Sequence, residues 1–451
     1  MARDTRSPVP QSNIEAGAHA IRDVQQTSCC VVGGGPAGAV LVLLLARQGI
    51  PVTLLEQHAD FDRDFRGDTL HPSILEVLDE IGLADRLLEL PHAKVSTATL
   101  PTPSGPMQVL DLHCLKTRFP FIAMMPQTRF LDFITAEAQR YPNFQLIMRA
   151  NVHELIAEGG VVRGVRYQGS DGSHEVRALL TVGADGRFSK LRKLAGFAAI
   201  TTSPPMDVLW LRVSKRPEEV GGVMGRFGKG ALLVELDRGA EWQLGYVIRK
   251  GSFKQLQAAG IAALRQSIAT LAPELGDRMA EIRDWKDVAL LSVASDRLRR
   301  WYKPGLLLIG DAAHVMSPAG GNGINYAIMD AVAAANILTE PLQAGNVRLA
   351  DLAAVQRRRE WPTRIVQAII SGVQDRVINR ALDPSTAFQL PLALRLPLIR
   401  KLPLVRELPA RMIGFGIRRE HVKPSLREPI HTQTTVHAEE VTHGDISGSA
   451  R

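Results

Sequence analysis

Residues 28–56 read SCCVVGGGPAGAVLVLLLARQGIPVTLLE, and this stretch decides the fold class. A short apolar strand pattern precedes the glycine turn, a helix pattern follows it, and a second apolar strand ends at Glu56. Glycines at positions 33, 35 and 38 permit a tight turn, a close approach of the backbone to a pyrophosphate, and close packing of helix on strand. An acid at the end of the second strand can accept hydrogen bonds from ribose hydroxyls. The stretch therefore predicts a βαβ unit that binds a dinucleotide.

A second stretch with ligand-binding character lies far downstream. Residues 310–325 read GDAAHVMSPAGGNGIN, between an apolar run at 306–309 and a helix-forming segment at 326–338. An acid at a strand end, a loop of glycine and proline, and a helix N-terminus together favour a polar, partly anionic ligand. Between the two stretches, residues 183–186 (GADG) make another strand-to-helix turn with an acid. We predict that all three turns belong to one site.

The composition is that of a globular protein. The 451 residues provide for two or three domains, 45% of them are hydrophobic, and no apolar run approaches the roughly 18 residues of a membrane span. Cys29, Cys30 and Cys114 cannot form a disulfide framework and lack the spacing of metal ligands. We therefore predict a reducing, cytoplasmic location and no metal site.

The net charge of +8 is unevenly distributed along the chain. Residues 376–427 contain eleven Lys or Arg and three acids, so the remainder is balanced. This distribution excludes a basic nucleic-acid-binding surface on the main body. Prolines recur every six residues within RLPLIRKLPLVRELPARM (395–412) and favour short helical turns over one long helix. We predict a helical cap on the main body, and the alternative is a peripheral membrane contact through residues 391–419.

The middle of the chain changes from helical to extended character. Residues 207–213, 231–236 and 241–248 alternate as strands of a sheet with one covered face, and a helix pattern follows at 253–275. We interpret this part as an antiparallel-sheet domain inserted into the dinucleotide-binding domain.

The three motifs, in this order and at about this spacing, resemble those of the class A flavoprotein monooxygenases, which are similar in fold to para-hydroxybenzoate hydroxylase. The resemblance covers residues 27–374. It implies an α/β fold with a Rossmann-like FAD-binding domain, an inserted antiparallel-sheet substrate domain and a helical C-terminal segment. It also implies FAD as the cofactor and NADPH or NADH as the co-substrate, with the choice between the two left open.

The resemblance and the composition together divide the chain into two domains and three flanking segments. The predicted division is a mobile lead (1–26), an FAD-binding domain (27–98, 122–200 and 289–375), a substrate domain (99–121 and 201–288), a basic helical C-terminal segment (376–427) and a disordered tail (428–451). The FAD-binding domain is discontinuous because the substrate domain is inserted into it.

The resemblance also assigns cofactor contacts to the positions that match the family motifs. It implies that the glycine turn holds the pyrophosphate, Glu56 the adenosine ribose and Asp311 the ribityl hydroxyls. The loop with Pro318, Gly320 and Gly321 would lie along the isoalloxazine ring. The full set of implied FAD contacts is Gly33, Gly35, Pro36, Ala37, Gly38, Glu56, Gln57, Arg66, Gln127, Asp185, Asp311, Asn322, Gly323 and Ile324.

The chemistry that the resemblance implies is hydroxylation of an aromatic or other hydrophobic ring by O2 through a flavin C4a-hydroperoxide. Backbone N–H groups of residues 322–324, at a helix N-terminus, can favour the anion of the reduced flavin without a charged side chain. The cofactor supplies the reactive step, so no acid–base pair of the protein is assigned. We expect His314 to serve in packing and hydrogen bonding rather than as a proton carrier.

Candidate substrate contacts lie beside the loop at residues 318–323, here called the flavin-end loop, and on the strands of the inserted domain. They are His71, Trp210, Arg212, Trp242 and Tyr246. Alternation places Trp210 and Arg212 on one face of a strand, and Trp242 and Tyr246 on one face of another, but it does not decide which face meets the flavin. A carboxylate-binding arginine and a phenol-activating tyrosine pair are not recognisable. We therefore expect a larger, hydrophobic ring compound such as a quinone precursor, a polyketide-type phenol or a polycyclic aromatic.

Three alternative functions use the same scaffold. A flavin-dependent halogenase would carry a W-x-W-x-I-P segment, which this sequence lacks. A flavin-dependent reductase would deliver hydride without oxygen. A non-catalytic, FAD-stabilised binding protein would use the basic C-terminal segment as its working surface.

Overall fold

The computed structural model describes residues 21–62, 69–102, 105–219, 221–228, 230–383, 385 and 403–430. The strands are β1 (Ile21–Val32), β2 (Val52–Leu55), β3 (Thr69–Leu70), β4 (Ala93–Val95), β5 (Thr97–Thr102), β6 (Gly105–Asp111), β7 (Ile122–Met124), β8 (Phe144–Ile147), β9 (Asn151–Glu158), β10 (Val161–Gln168), β11 (Ser173–Gly183), β12 (Ala199–Thr202), β13 (Met206–Ser214), β14 (Val223–Gly228), β15 (Ala231–Asp237), β16 (Glu241–Arg249), β17 (Ala289–Leu291), β18 (Ser295–Leu298), β19 (Tyr302–Lys303), β20 (Leu306–Leu308) and β21 (His314–Val315). The α-helices are α1 (Pro36–Ala46), α2 (Pro72–Glu80), α3 (Ala84–Leu88), α4 (Gln127–Gln139), α5 (Lys190–Leu194), α6 (Phe253–Ala259), α7 (Ile261–Leu271), α8 (Gly323–Gln343), α9 (Leu349–Val373), α10 (Asn379–Ala381), α11 (Pro403–Phe415) and α12 (Pro424–Arg427).

The larger of two main sheets carries the glycine turn. Its strands run in the order β19-β20-β11-β1-β2-β8, with β10 and β9 added beside β11. The pairs β8–β2, β2–β1, β1–β11 and β11–β20 are parallel. Helix α1 is buried from Ala37 to Ala46 and packs against α4 and α8, which explains its apolar sequence. The predicted α/β class and βαβ unit are confirmed.

Strand β1 begins earlier than the sequence indicates. Gln25 pairs with Val176 of β11, so the predicted lead (1–26) is wrong over residues 21–26. This part of the strand is polar and mostly exposed, and hydrophobic patterning cannot detect it. Pairing with the long strand β11 satisfies its backbone groups without a buried side-chain face.

The second main sheet combines two distant parts of the chain. Its order is β17-β13-β16-β15-β14-β5-β6, and each pair is antiparallel except β14–β5. It therefore joins residues 97–111 to residues 206–291. One face packs against α6, α7 and the 3₁₀ segment Pro273–Glu281, with Leu233 and Leu264 in that core. The other face packs against the 318–323 loop, since Val208 and Val247 share a cluster with Ala319.

The described part of the C-terminal segment covers the main body. Helix α11 packs against β6 and α2, and its Ala410 is fully buried. Much of the proline repeat lies outside the described residues. Across the described ranges, none of the helices combines the length and the apolar character that crossing a bilayer requires.

Candidate active site

The glycine turn at residues 33–38 has a geometry that side chains would prevent. Gly33 has a φ of +105°, and a Cβ there would collide with the carbonyl oxygen of Ala184. A Cβ at Gly38 would collide with the carbonyl oxygen of Gly33. A Cβ at Gly35 would have no described atom within 4 Å, so the N-terminus of α1 opens onto free space. An anion can therefore approach the backbone N–H groups at this helix end.

Glu56, at the end of β2, fixes the glycine turn. It is 6% exposed, and its Oε2 accepts a hydrogen bond from Gly34 N–H at 2.9 Å. Its Oε1 accepts from the backbone N–H of His58 at 2.9 Å and lies 2.6 Å from His58 Nδ1. Gln57 is exposed beside it. The acid that was predicted to bind a ribose therefore holds the turn in place.

The three motif turns meet at the carboxyl ends of the parallel strands. Ala184 packs against Gly33 and donates its N–H to Val32 O at 2.7 Å. Gly310 lies against α1, since a Cβ there would be 3.2 Å from Ala37 Cβ. Asp311 follows in a 3₁₀ turn directly after β20. One site thus forms from segments that are distant in sequence.

Asp185 has a structural task that the motif did not reveal. Ser189 Oγ donates to its Oδ1 at 2.6 Å, and Leu191 N–H donates to its Oδ2 at 3.0 Å. Burial raises the pKa of Asp185, and these two hydrogen bonds oppose that rise. Both carboxylate oxygens are therefore engaged at the start of α5, which fixes the turn beside Gly33.

A buried ionic network supports the Gly310–Ala312 turn from behind. Asp330 is completely buried in α8, and its Oδ2 accepts from Gly310 N–H at 3.0 Å and lies 2.6 Å from His314 Nε2. Arg359 Nε donates to Asp330 Oδ1 at 3.0 Å, and Arg359 Nη1 donates to Glu420 Oε1 at 3.2 Å. Burial acts to raise the pKa of Asp330, but His314 and Arg359 outweigh it, so the pKa is lowered.

Asp330, Arg359 and Glu420 are functional-site residues that the sequence did not predict. The available signal was a single acid within the apolar helix segment AIMDAVAAA (327–335), because a charge there needs a buried partner. His314 is 1% exposed and packs against Trp301 with ring centroids 4.9 Å apart. Its contacts agree with the predicted packing and hydrogen-bonding role.

The loop from Pro318 to the start of α8 is bordered by unsatisfied buried polar atoms. Gly320 and Gly321 adopt φ angles of +86° and +65°. Thr69 Oγ1 donates to Gly321 O at 3.2 Å. Among the described residues, three buried side-chain atoms of this region have no hydrogen-bond partner: His71 Nε2, Asn322 Oδ1 and Asn325 Oδ1. Such atoms are rare in protein interiors, and each of them needs a hydrogen-bond partner from a ligand or from water.

Comparison with known proteins decides the family. A family model described as "FAD binding domain" matches residues 26–368. The 6-methylpretetramide 4-monooxygenase of Streptomyces rimosus is 35% identical over 342 residues, which cover 75% of this chain and 82% of that protein. The chain belongs to the FAD-dependent class A flavoprotein monooxygenases. The predicted oxidoreductase function and the FAD cofactor are thereby confirmed, and use of NAD(P)H is typical of the family.

Solved structures show the same fold. PqsL, a probable FAD-dependent monooxygenase from Pseudomonas aeruginosa, superposes with a TM-score of 0.68 at 20% identity and covers 80% of this chain and 98% of its own. The p-nitrophenol 4-monooxygenase PnpA from Pseudomonas putida superposes with a TM-score of 0.68 at 19% identity, with 88% and 100% covered. The halogenase, reductase and binding-protein alternatives are less well supported than the monooxygenase, because the relative at 35% identity is a named monooxygenase.

The residues present in this flavoprotein fit an FAD. The turn at 33–38 leaves space above the N-terminus of α1, and only glycine fits at Gly33 and Gly38. Asp311 lies at the end of the neighbouring strand, and the 318–323 loop offers the start of α8. Gln127 begins α4. Arg66 lies outside the described residues.

The two faces of the second main sheet pack against different parts of the chain. Trp210 is half-buried on the face that packs with Ala319, and its ring lies against Gly245, where a Cβ would come within 2.9 Å of Trp210 Cζ3. Arg212 shares the parity of Trp210 but is exposed at the end of its strand, 3.3 Å from Glu241 Oε1. Trp210 is therefore the strand residue placed toward the loop.

Trp242 and Tyr246 belong to the opposite face, so their assignment to the substrate is wrong. Trp242 Nε1 donates to Glu219 Oε2 at 2.7 Å, and Tyr246 OH lies 2.7 Å from Ser267 Oγ of α7. Both rings pack in the core between the sheet and its helices. Alternation along β16 correctly predicts that the two residues share a face. Only the packing of the helices shows that this face points away from the 318–323 loop.

The burial of His71 predicts a pH dependence of stability. Burial lowers the pKa of His71 from 6.5 to about 4, opposed by its hydrogen bond to Ile413 O. Between these pH values the unfolded chain binds a proton that the folded chain does not, so stability falls as the pH drops from 6.5 toward 4. We expect His71 to contribute a loss of roughly 2–3 kcal/mol between pH 7 and pH 4.5.

Urea unfolding at both pH values checks this expectation. The His71→Asn variant, which has no ionisable group there, should lose less stability on acidification than the wild-type protein by that amount. Equal losses in the two proteins would contradict the expectation.

Proposed function

We propose that this flavoprotein monooxygenase hydroxylates a fused-ring aromatic compound, chemically related to the 6-methylpretetramide for which its Streptomyces rimosus relative is named. The observation that carries this proposal is the apolar, half-buried sheet face formed by Trp210 and Phe227, which packs in one cluster with Ala319 of the 318–323 loop. The indole of Trp210 packs against Gly245, and an aromatic ring at this face can stack with a planar substrate.

The same sheet face extends toward the C-terminal helix. Val223 and Leu236 are half-buried and pack in a cluster with Phe415 of α11. Leu100 lies over Gly225, where a Cβ would come within 2.8 Å of its Cδ2. Glycines under two apolar side chains keep this face flat and broad, which suits a polycyclic substrate better than a small, charged single ring.

The proposed cofactor contacts follow the three turns. Gly33, Gly35 and Gly38 would hold the pyrophosphate, Glu56 the adenosine ribose and Asp311 the ribityl chain. When bound, FAD takes reducing equivalents from the nicotinamide and activates O2 for transfer to the ring. The N-terminus of the 21-residue helix α8 presents unpaired N–H groups and partial positive charge, so it would favour an anionic form of the cofactor.

The residues of this chain would orient the reactants and exclude water. Pro318, Gly320 and Gly321 would lie along the ring system, with the Asn322, Gly323 and Ile324 N–H groups at its polar edge. The apolar sheet face would hold the substrate beside it. No side chain is assigned a proton transfer, and a dry site would protect the oxidising species from water.

Asp311→Asn should weaken cofactor binding. The substitution keeps the shape of the side chain but removes the charge that strengthens hydrogen bonds to hydroxyl groups, so we expect an FAD dissociation constant roughly 10- to 100-fold higher. Titration of apo-protein with FAD, followed by flavin fluorescence, measures this. Asp277→Asn, at an exposed position of the 3₁₀ segment Pro273–Glu281, which packs on the opposite face of the second sheet, should bind FAD as the wild-type protein does. An unchanged affinity of the Asp311→Asn protein would refute its assigned contact.

The substrate proposal is tested by oxygen-dependent oxidation of NADPH and NADH with a panel of aromatics. Fused-ring phenols should accelerate oxidation and appear as hydroxylated products, while single-ring benzoates should have little effect. Oxidation that continues unchanged without oxygen would support a reductase instead. Stimulation by single-ring benzoates alone would contradict the proposed substrate class.

The C-terminal segment either packs on the main body or touches a membrane surface. A peripheral membrane contact was predicted for residues 391–419, of which 391–402 lie outside the described residues. Because Ala410 and Phe415 are buried against the main body, we favour the cap for α11. A cytoplasmic location stays a prediction from cysteine usage.

A further inference from the structure

His71 is a buried polar side chain with one nitrogen satisfied and one not. It lies directly before α2 and is 1% exposed. Its Nδ1 is 2.6 Å from the carbonyl oxygen of Ile413 in α11. Its Nε2 has no hydrogen-bond partner within the described ranges. A buried polar atom without a hydrogen bond is unfavourable, so Nε2 needs a hydrogen-bond partner from outside the described residues.

The contact with Ile413 fixes which tautomer is present. A carbonyl oxygen can only accept a hydrogen bond, so Nδ1 must carry the proton and donate. The neutral ring then has a lone pair on Nε2, and burial keeps it neutral because it lowers the pKa of His71 to about 4. Nε2 is therefore a fixed hydrogen-bond acceptor, oriented by the C-terminal helix.

The acceptor lies beside the flavin-end loop. A Cβ on Gly321 would be 3.5 Å from His71 Nε2 and 3.2 Å from Thr69 Oγ1. The Thr69 hydroxyl is already used, since it donates to Gly321 O. The amide oxygens of Asn322 and Asn325 are the other unsatisfied acceptors of this region. The loop and the start of α8 thus carry or border acceptors that a ligand with N–H or O–H donors can satisfy.

We propose that His71 is a ligand-binding residue whose Nε2 accepts a hydrogen bond from an N–H or O–H group of the molecule that covers the 318–323 loop. The inference rests on the proposed function, which supplies two sources of such a donor: the N3–H of the flavin ring and a hydroxyl of the aromatic substrate. The neutral ring binds and orients this donor.

The C-terminal segment thereby takes part in ligand binding. Ile413 O holds the tautomer, and Phe415 packs beside the substrate-side sheet. The cap formed by α11 therefore contributes to the site through a backbone atom, which explains why its sequence alone shows no ligand-binding motif.

Two substitutions separate the nitrogens of His71. Asparagine places an amide N–H where Nδ1 lies, so His71→Asn can keep the bond to Ile413 O while the acceptor at Nε2 is lost. Glutamine reaches the position of Nε2 with an amide oxygen, so His71→Gln can restore the acceptor. The thermal unfolding temperature of each apo-protein at pH 7 controls for folding.

The readout is equilibrium binding, which needs no turnover. Apo-proteins are titrated with FAD and with FAD methylated at N3. Holo-proteins are titrated with 2-hydroxyanthracene and 2-methoxyanthracene.

We expect His71→Asn to weaken binding of one donor-bearing ligand by roughly tenfold or more, and His71→Gln to recover most of that affinity. If the flavin is the donor, His71→Asn loses the preference for FAD over N3-methyl-FAD. If the substrate is the donor, it loses the preference for the hydroxy over the methoxy compound.

Two results would overturn the proposal. One is a His71→Asn protein that binds FAD as the wild-type protein does and shows no change in hydroxyl-dependent binding of the anthracenes. The other needs no variant: wild-type protein that prefers neither FAD over N3-methyl-FAD nor the hydroxy over the methoxy compound. Failure of the proposed function has a separate signature, since oxygen-independent oxidation of NADPH would leave these affinities unaffected.

Discussion

Gly35→Val should fold normally and fail to retain FAD. Gly35 is the N-cap of α1 with a φ of −71°, and no described atom lies within 4 Å of a Cβ there, so a valine side chain meets no protein atom close to the backbone. It would instead occupy the space above the helix N-terminus, where the pyrophosphate must approach the backbone. We expect FAD affinity to fall by at least about a hundredfold, measured by titration of apo-protein.

Two other glycines make the comparison specific. Gly276→Val, in the substrate-side domain, has Ala269 Cβ as its nearest neighbour at 3.9 Å and should retain FAD fully. Gly38→Val should fail to fold, because even its Cβ collides with the carbonyl oxygen of Gly33. A Gly35→Val protein that purifies yellow and fully loaded would refute the placement of the pyrophosphate.

Asp330→Ala should be among the most destabilising single substitutions in the chain. It leaves the guanidinium of Arg359 buried without one of its two carboxylates, and it removes the acceptor for Gly310 N–H and His314. Removing one partner of a buried ion pair costs about 3–5 kcal/mol. Chemical denaturation of apo-protein measures the free energy of unfolding.

The matched control is a surface ion pair. Asp79 pairs with Arg118, and its side chain is 40% exposed, so Asp79→Ala should cost less than about 1 kcal/mol. Because Asp330 also holds the turn that carries Asp311, the Asp330→Ala protein should bind FAD weakly even where it stays folded. A stability equal to that of Asp79→Ala would show that the network does not support the turn.

Features that depend on residues close together in the chain could be predicted from the sequence. The βαβ unit and the turns with Asp185 and Asp311 are local patterns of strand, glycine and helix, and each lies where the patterns indicate. The polar start of β1 was not predicted. Backbone pairing with β11 stabilises it, and its sequence has no hydrophobic periodicity that would indicate a strand.

Features that depend on long-range packing could not be predicted from the sequence. Alternation divides β16 into two faces, but only the position of α7 shows that Trp242 and Tyr246 lie away from the loop. The Asp330–Arg359 pair and the bond from His71 to Ile413 join residues far apart in the chain, and no local pattern specifies such partners.

The most direct test of the account is the source of the oxygen atom in the product. The enzyme, loaded with FAD and supplied with NADPH and a fused-ring phenol, is run under ¹⁸O₂ and the product is analysed by mass spectrometry. We predict a product that carries one ¹⁸O atom, with one NADPH oxidised for each product formed and no product without oxygen. A product formed at the same rate without oxygen, or one whose new oxygen comes from water, would contradict the assignment as a monooxygenase.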